Sequence, residues 1–78
     1  MQANLTPPDK NLTPRQRELL SMLARNFGKN EIAQHFGVRT QRIYDEFGDL
    51  FSIYGVTNDA ALVYAAIKSG DLHPDELS

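Results

Sequence analysis

The sequence contains no cysteine and no tryptophan. Without cysteine there is no disulfide, no thiolate metal ligand and no redox couple. Histidine is nearly missing too, with His35 and His73 the only two. His35 is expected to lie next to the core, and no second His, Cys or carboxylate stands at ligand spacing from it. Neither a metal nor a cofactor is therefore expected. No stretch reaches the ~18 apolar residues of a membrane-spanning helix. The opening MQANLTPPDK is polar and lacks the apolar centre of a secretory signal. These absences predict a cytoplasmic chain without a membrane partner. There is no nucleophile–base pair and no phosphate-cradling glycine loop, and 78 residues form no deep cleft, so the chain is not expected to be an enzyme.

An excess of positive charge is also missing. The net charge is −2, whereas nucleic-acid-binding domains are usually basic. The charge is unevenly spread. Residues 1–42 hold seven Lys/Arg and three acids, for +4, and residues 43–78 hold one Lys and seven acids, for −6. Such an asymmetry fits a phosphate-facing side and a solvated side, and equally two ordinary solvated surfaces.

A chain of this length is one small domain with a limited core, and dimerisation would help to stabilise it. Residues 1–11 carry Pro7 and Pro8, have no apolar period, and read as a flexible arm. The domain proper is expected over residues 12–72 and an acidic tail over 73–78. Thr13, Pro14 and Gln16 form a helix-start signature of N-cap, N1 proline and capping-box partner. Leu19, Leu20, Leu23, Ala24 and Phe27 follow at helical spacing, and Gly28 is the expected C-cap. A short second helix runs from about Lys29 to Phe36 and turns Ile32, Ala33 and Phe36 inward. A third runs from Arg39 or Thr40 to Ser52 or Ile53 and buries Ile43, Phe47, Leu50, Phe51 and Tyr54. Gly48 inside that helix costs about 0.5–1 kcal/mol relative to alanine. Asn58 or Asp59 caps a fourth helix, whose Leu62, Val63, Tyr64, Ala65, Ala66 and Ile67 are apolar over more than one face. The surplus points to a subunit interface through Leu62, Val63, Tyr64, Ala66 and Ile67.

The second and third helices fit a helix-turn-helix. Ala33 is small where the two would cross, Gly37 suits a positive φ at the turn, and Ile43 would plug the corner. An ordinary helical hairpin fits the same three residues. The flanks add a family pattern. Leu12–Leu20, LTPRQRELL, resembles the LTPREREVL opening of the LuxR/GerE-type DNA-binding domain. Glu31-Ile32-Ala33 is similar to its NKEIA box, and Gly55-Val56, Ala61-Leu62-Val63 and Gly70-Asp71-Leu72 match its later signatures, without a gap. The resemblance implies an all-α, four-helix LuxR/GerE-like domain, a third helix read into duplex DNA through the major groove, homodimerisation through the fourth helix, and bacterial transcriptional control. It places base reading at Tyr44, Asp45 and Gly48. Where the family frequently has Lys and His, this chain has Tyr44 and Glu46, and the Lys of NKEIA is Asn30.

Two functions stay open at this level. One is a stand-alone DNA-binding regulator. Lys29, Asn30, Arg39, Thr40, Gln41, Arg42, Tyr44, Asp45 and Gly48 would form its surface, with Arg15 and Arg17 holding further phosphates. The other is a protein-binding module with weak or lost DNA affinity, which pairs with or inhibits a larger transcription regulator.

Overall fold

The described residues form four helices: α1 (Pro14–Ala24), α2 (Lys29–Phe36), α3 (Thr40–Tyr54) and α4 (Asp59–Ser69). The structure is a computed structural model, and it describes residues 12–73 and residue 75. The expected arm over residues 1–11 and most of the acidic tail lie outside the described residues. No strand occurs among the described residues, and the fold is all-α.

Local chemistry sets the helix ends. The Thr13 side chain accepts from the Gln16 N–H at 3.1 Å, and Gln16 Oε1 accepts from the Thr13 N–H at 3.0 Å, closing the reciprocal capping box. The Asn58 side chain accepts from the Ala61 N–H at 2.8 Å and starts α4. Helix α1 stops earlier than its apolar spacing suggests. It ends at Ala24, and Asn26 takes the left-handed conformation with φ 72° while Phe27 N–H donates to the Met22 carbonyl. Asparagine tolerates this region better than other non-glycine residues. Gly28, expected as the C-cap of α1, is instead the N-cap of α2, where its N–H donates to Glu31 Oε1 at 2.8 Å. Gly37, at φ 69°, does close α2 in the left-handed conformation, and Val38 N–H reaches back to the Ala33 carbonyl.

The core joins all four helices. Leu19, Leu20, Ile32, Ala33, Ile43, Phe47 and Leu50 are buried, as their spacing predicts, and so is Leu62 of α4. Leu12, Met22, Ala66 and Leu72 join them, so residues flanking α1 and α4 also enter the core. Ala33 on α2 and Ile43 on α3 are both buried. Five residues expected to be buried differ. Leu23, Phe36, Phe51 and Tyr54 are only partly buried, and Phe27 is 39% exposed. Leu23 and Phe27 line an open groove with Ala24, Ala60 and Val63. Ending α1 at Ala24 rotates Phe27 off its stripe and onto that rim. His35 is exposed rather than set against the core. Its ring meets Phe36 edge-on at 4.8 Å, and its Nε2 lies 3.5 Å from Glu18.

Helix α3 is bent 51° from α4, and no single helix among the described residues is long and apolar enough to cross a membrane. The turn after α4 is tied back onto the bundle. Tyr54 Oη donates to Asp71 Oδ2 at 2.6 Å, and Ser69 Oγ donates to the same oxygen at 2.9 Å. Burial, and then the neighbouring Asp71 carboxylate, push the Tyr54 phenol well above its ordinary range, so it stays a neutral donor.

Candidate nucleic-acid interface

The outer face of α3 is built by exclusion. Ile43, Phe47 and Leu50 take the buried side of the helix, which turns Gln41, Tyr44, Asp45, Gly48 and Asp49 outward. Gln41 Nε2 donates to Asp45 Oδ1 at 3.0 Å, so these two side chains stand as one unit one turn apart. Gly48 has nothing in the chain near it: a Cβ built there would meet no atom within 4 Å. No internal packing therefore requires glycine in mid-helix, and the outer face at this point is open.

The start of α3 is chemically distinct. Arg39 is its N-cap residue and supplies no side-chain cap; Arg42 N–H turns back onto the Arg39 carbonyl at 3.0 Å, which leaves the N–H groups of Thr40 and Gln41 as the uncapped donors. The Arg39 guanidinium makes no ion pair or hydrogen bond among the described residues. Thr40 Oγ1 donates to Asn30 Oδ1 at 3.0 Å, which brings the beginnings of α2 and α3 side by side. The positive ends of two helices and one unpaired arginine thus share one edge.

The other expected phosphate ligands are engaged elsewhere. Lys29 Nζ pairs with Asp59 Oδ2 at 2.8 Å, and only 15% of its side chain is exposed. The ammonium also sits 5.1 Å from the ring centroids of Tyr44 and of Phe47. Lys29 therefore ties α2 to α4 instead of facing outward, and it is removed from the candidate surface. Arg15 and Arg42 both bind Glu46, at 2.8 and 2.9 Å. Arg17 reaches the Asp71 carbonyl at 3.5 Å. The basic first half and the acidic second half are accordingly not two separate faces, because cations of one are neutralised by acids of the other. Pairs 30 and 31 residues apart leave no trace in local spacing.

The expected subunit interface also contracts. Leu62 and Ala66 are fully buried within the protomer and cannot meet a partner. Val63 and Ile67 are half-buried against the core, and Tyr64 is 66% exposed. Ile53, at the end of α3, shares a shallow depression with Tyr64, a neighbour that the spacing of α4 alone did not reveal.

Among the described residues, no group of three or more His, Asp or Glu side chains could hold a metal ion. Comparison with family models, with curated proteins and with solved structures returned no match.

Proposed function

We propose that the protein is a small transcriptional regulator that binds duplex DNA by laying α3 into the major groove, in the manner of the LuxR/GerE-type domains its sequence resembles. The observation that carries this reading is the uncapped start of α3, with Arg39 unpaired beside it and Asn30 and Thr40 alongside. Free N–H groups at the positive end of a helix, next to an arginine, suit a backbone phosphate. The open face from Gln41 to Gly48 then lies where base edges would be met. Fluorescence anisotropy against a generic labelled duplex at low salt tests it. Binding should weaken linearly in log salt, and Arg39→Ala should flatten the slope by about one. A duplex that fails to bind at low salt sinks the proposal.

The regulator acts as a homodimer in this reading, with Tyr64 at the centre of the contact and Val63, Ile67 and Ile53 around it. Sedimentation at tens of micromolar should then report close to twice the 8.8 kDa of one chain, and Tyr64→Glu should return the monomer. A wild-type monomer at high concentration, with and without DNA, removes the dimer.

A second reading has its own support. The outer face of α3 carries Asp45 and Asp49 and no unpaired cation beyond Arg39 at its start. Such a face suits the basic patch of a larger regulator, which this chain would bind or inhibit. Recovery of a regulator by co-purification, together with no binding to duplex, selects that reading.

A further inference from the structure

Two arginines from different helices converge on one carboxylate. Arg15, from the first turn of α1, grips Glu46 side-on, with Nε to Oε1 at 2.8 Å and Nη2 to Oε2 at 3.0 Å. Arg42, one turn before Glu46 on α3, gives Nε to the same Oε2 at 2.9 Å. Two guanidiniums this close repel each other unless an anion lies between them. Glu46 supplies that anion from within the chain.

The two arginines are not held alike. Arg15 has its guanidinium over the Phe36 ring, 4.5 Å from the centroid, and its pair with Glu46 is bidentate. Stacking and a two-point grip fix its orientation. Arg42 holds a single hydrogen bond, and its side chain is 65% exposed. Glu46 is 19% exposed, and both of its oxygens accept from Arg15. Arg42 is therefore the arm that can leave, giving up a solvent-screened pair of small worth.

We propose that the Arg15–Glu46–Arg42 fork is a phosphodiester switch, in which the Arg42 arm binds a backbone phosphate and Glu46 occupies that arm in the free protein. On contact with the DNA backbone, Arg42 exchanges Glu46 for a phosphate oxygen while Arg15 retains Glu46 and holds α1 against α3. Glu46 thereby sets the affinity for duplex low and makes it depend on how many phosphates compete for Arg42. This rests on the DNA-binding reading above and assigns to Glu46 a restraining role within it.

The test measures anisotropy with a generic duplex across a salt series, using the full chain. Glu46→Gln keeps an acceptor for Arg15 but removes the charge, and it should tighten binding about three- to fivefold and steepen the salt slope. Asp49→Asn makes the same charge change one turn along α3, on a side chain with no partner among the described residues. It should tighten binding less than about twofold. Equal gains from both variants overturn the fork, because net charge alone would then be responsible. Arg42→Gln leaves the Arg15–Glu46 pair intact, so it tests the same point in a chain whose α1–α3 tie is untouched. It should flatten the slope by about one, and an unchanged slope shows that Arg42 never leaves Glu46. Wild-type binding with no gain in Glu46→Gln overturns the fork alone. Failure of the wild type and of Glu46→Gln to bind any duplex overturns the fork together with the DNA-binding reading.

Discussion

Phe47→Ala is expected to cost about 3–5 kcal/mol of stability, read by urea titration of the helical circular dichroism. Phe47 is the largest of the fully buried side chains and sits on α3 in the core shared by all four helices. Removing the ring leaves a cavity that a small bundle fills only in part. The loss has a second component. Lys29 Nζ lies 5.1 Å from the Phe47 ring while it pairs with Asp59, so truncation also strips an aromatic neighbour from a mostly covered ammonium. Small domains are stable by about 5–15 kcal/mol in total. The variant should therefore unfold well below the temperature of the parent, or fail to fold at physiological temperature. A loss under about 1 kcal/mol would mean that α3 does not present Phe47 to the core, and the assignment of its outer face would fall with it.

That dependence shows how the fold was legible in sequence. Where an element has a chemical start signal and a strict apolar period, the two fix its phase together. Thr13, Pro14 and Gln16 mark the start of α1, and Ile43, Phe47 and Leu50 mark the inner side of α3, without reference to any other part of the chain. The reading fails where a choice between two local signals is settled by packing. Gly28 is the end that local chemistry favours for α1. Glycine is the stronger signal, yet Asn26 takes the left-handed turn, because Gly28 N–H is already committed to Glu31 at the start of α2. Phe27 and Leu23 move out of the core as a consequence. Helix α4 illustrates a second limit. Its apolar residues exceed one face, but composition alone cannot say which of them the protomer itself covers. Leu62 and Ala66 are taken by the core, and Tyr64 is left outside.

The candidate site was less legible than the fold, for an electrostatic reason. A count of charges along the chain records Arg15, Lys29 and Arg42 as available cations. Their partners, Glu46 and Asp59, come from the other half of the sequence and meet them only after the helices pack. Among the described cations expected on the DNA face, Arg39 at the start of α3 is the one left exposed and without an ion pair. In the DNA-binding reading, that edge supplies phosphate contact without breaking a pair, and selectivity has to come from an outer face that is neutral or acidic.

Asp45→Asn is the substitution that should separate affinity from selectivity. Asp45 is exposed on the outer face of α3, and its Oδ1 already accepts from Gln41. The remaining oxygen can accept only from a donor, and among base edges in the major groove the exocyclic amino groups of cytosine and adenine are the donors. A carboxylate is suited to the cytosine amino group, and it is repelled by phosphates everywhere else. The duplex would first be enriched from a randomised pool by the wild-type chain. Asp45→Asn should then weaken binding to that enriched site by about 1–3 kcal/mol, while binding to a generic duplex stays unchanged or becomes tighter. The opposite signs follow from one change: the lost charge removes an acceptor at one base pair and a repulsion at many phosphates. Equal tightening on both duplexes would mean that Asp45 reads no base, and the specificity of this face would have to come from Gln41 and Tyr44. Weakening on both would place Asp45 in the fold itself, through its bond to Gln41 at the first turn of α3, and thermal unfolding of the same variant would show that loss directly.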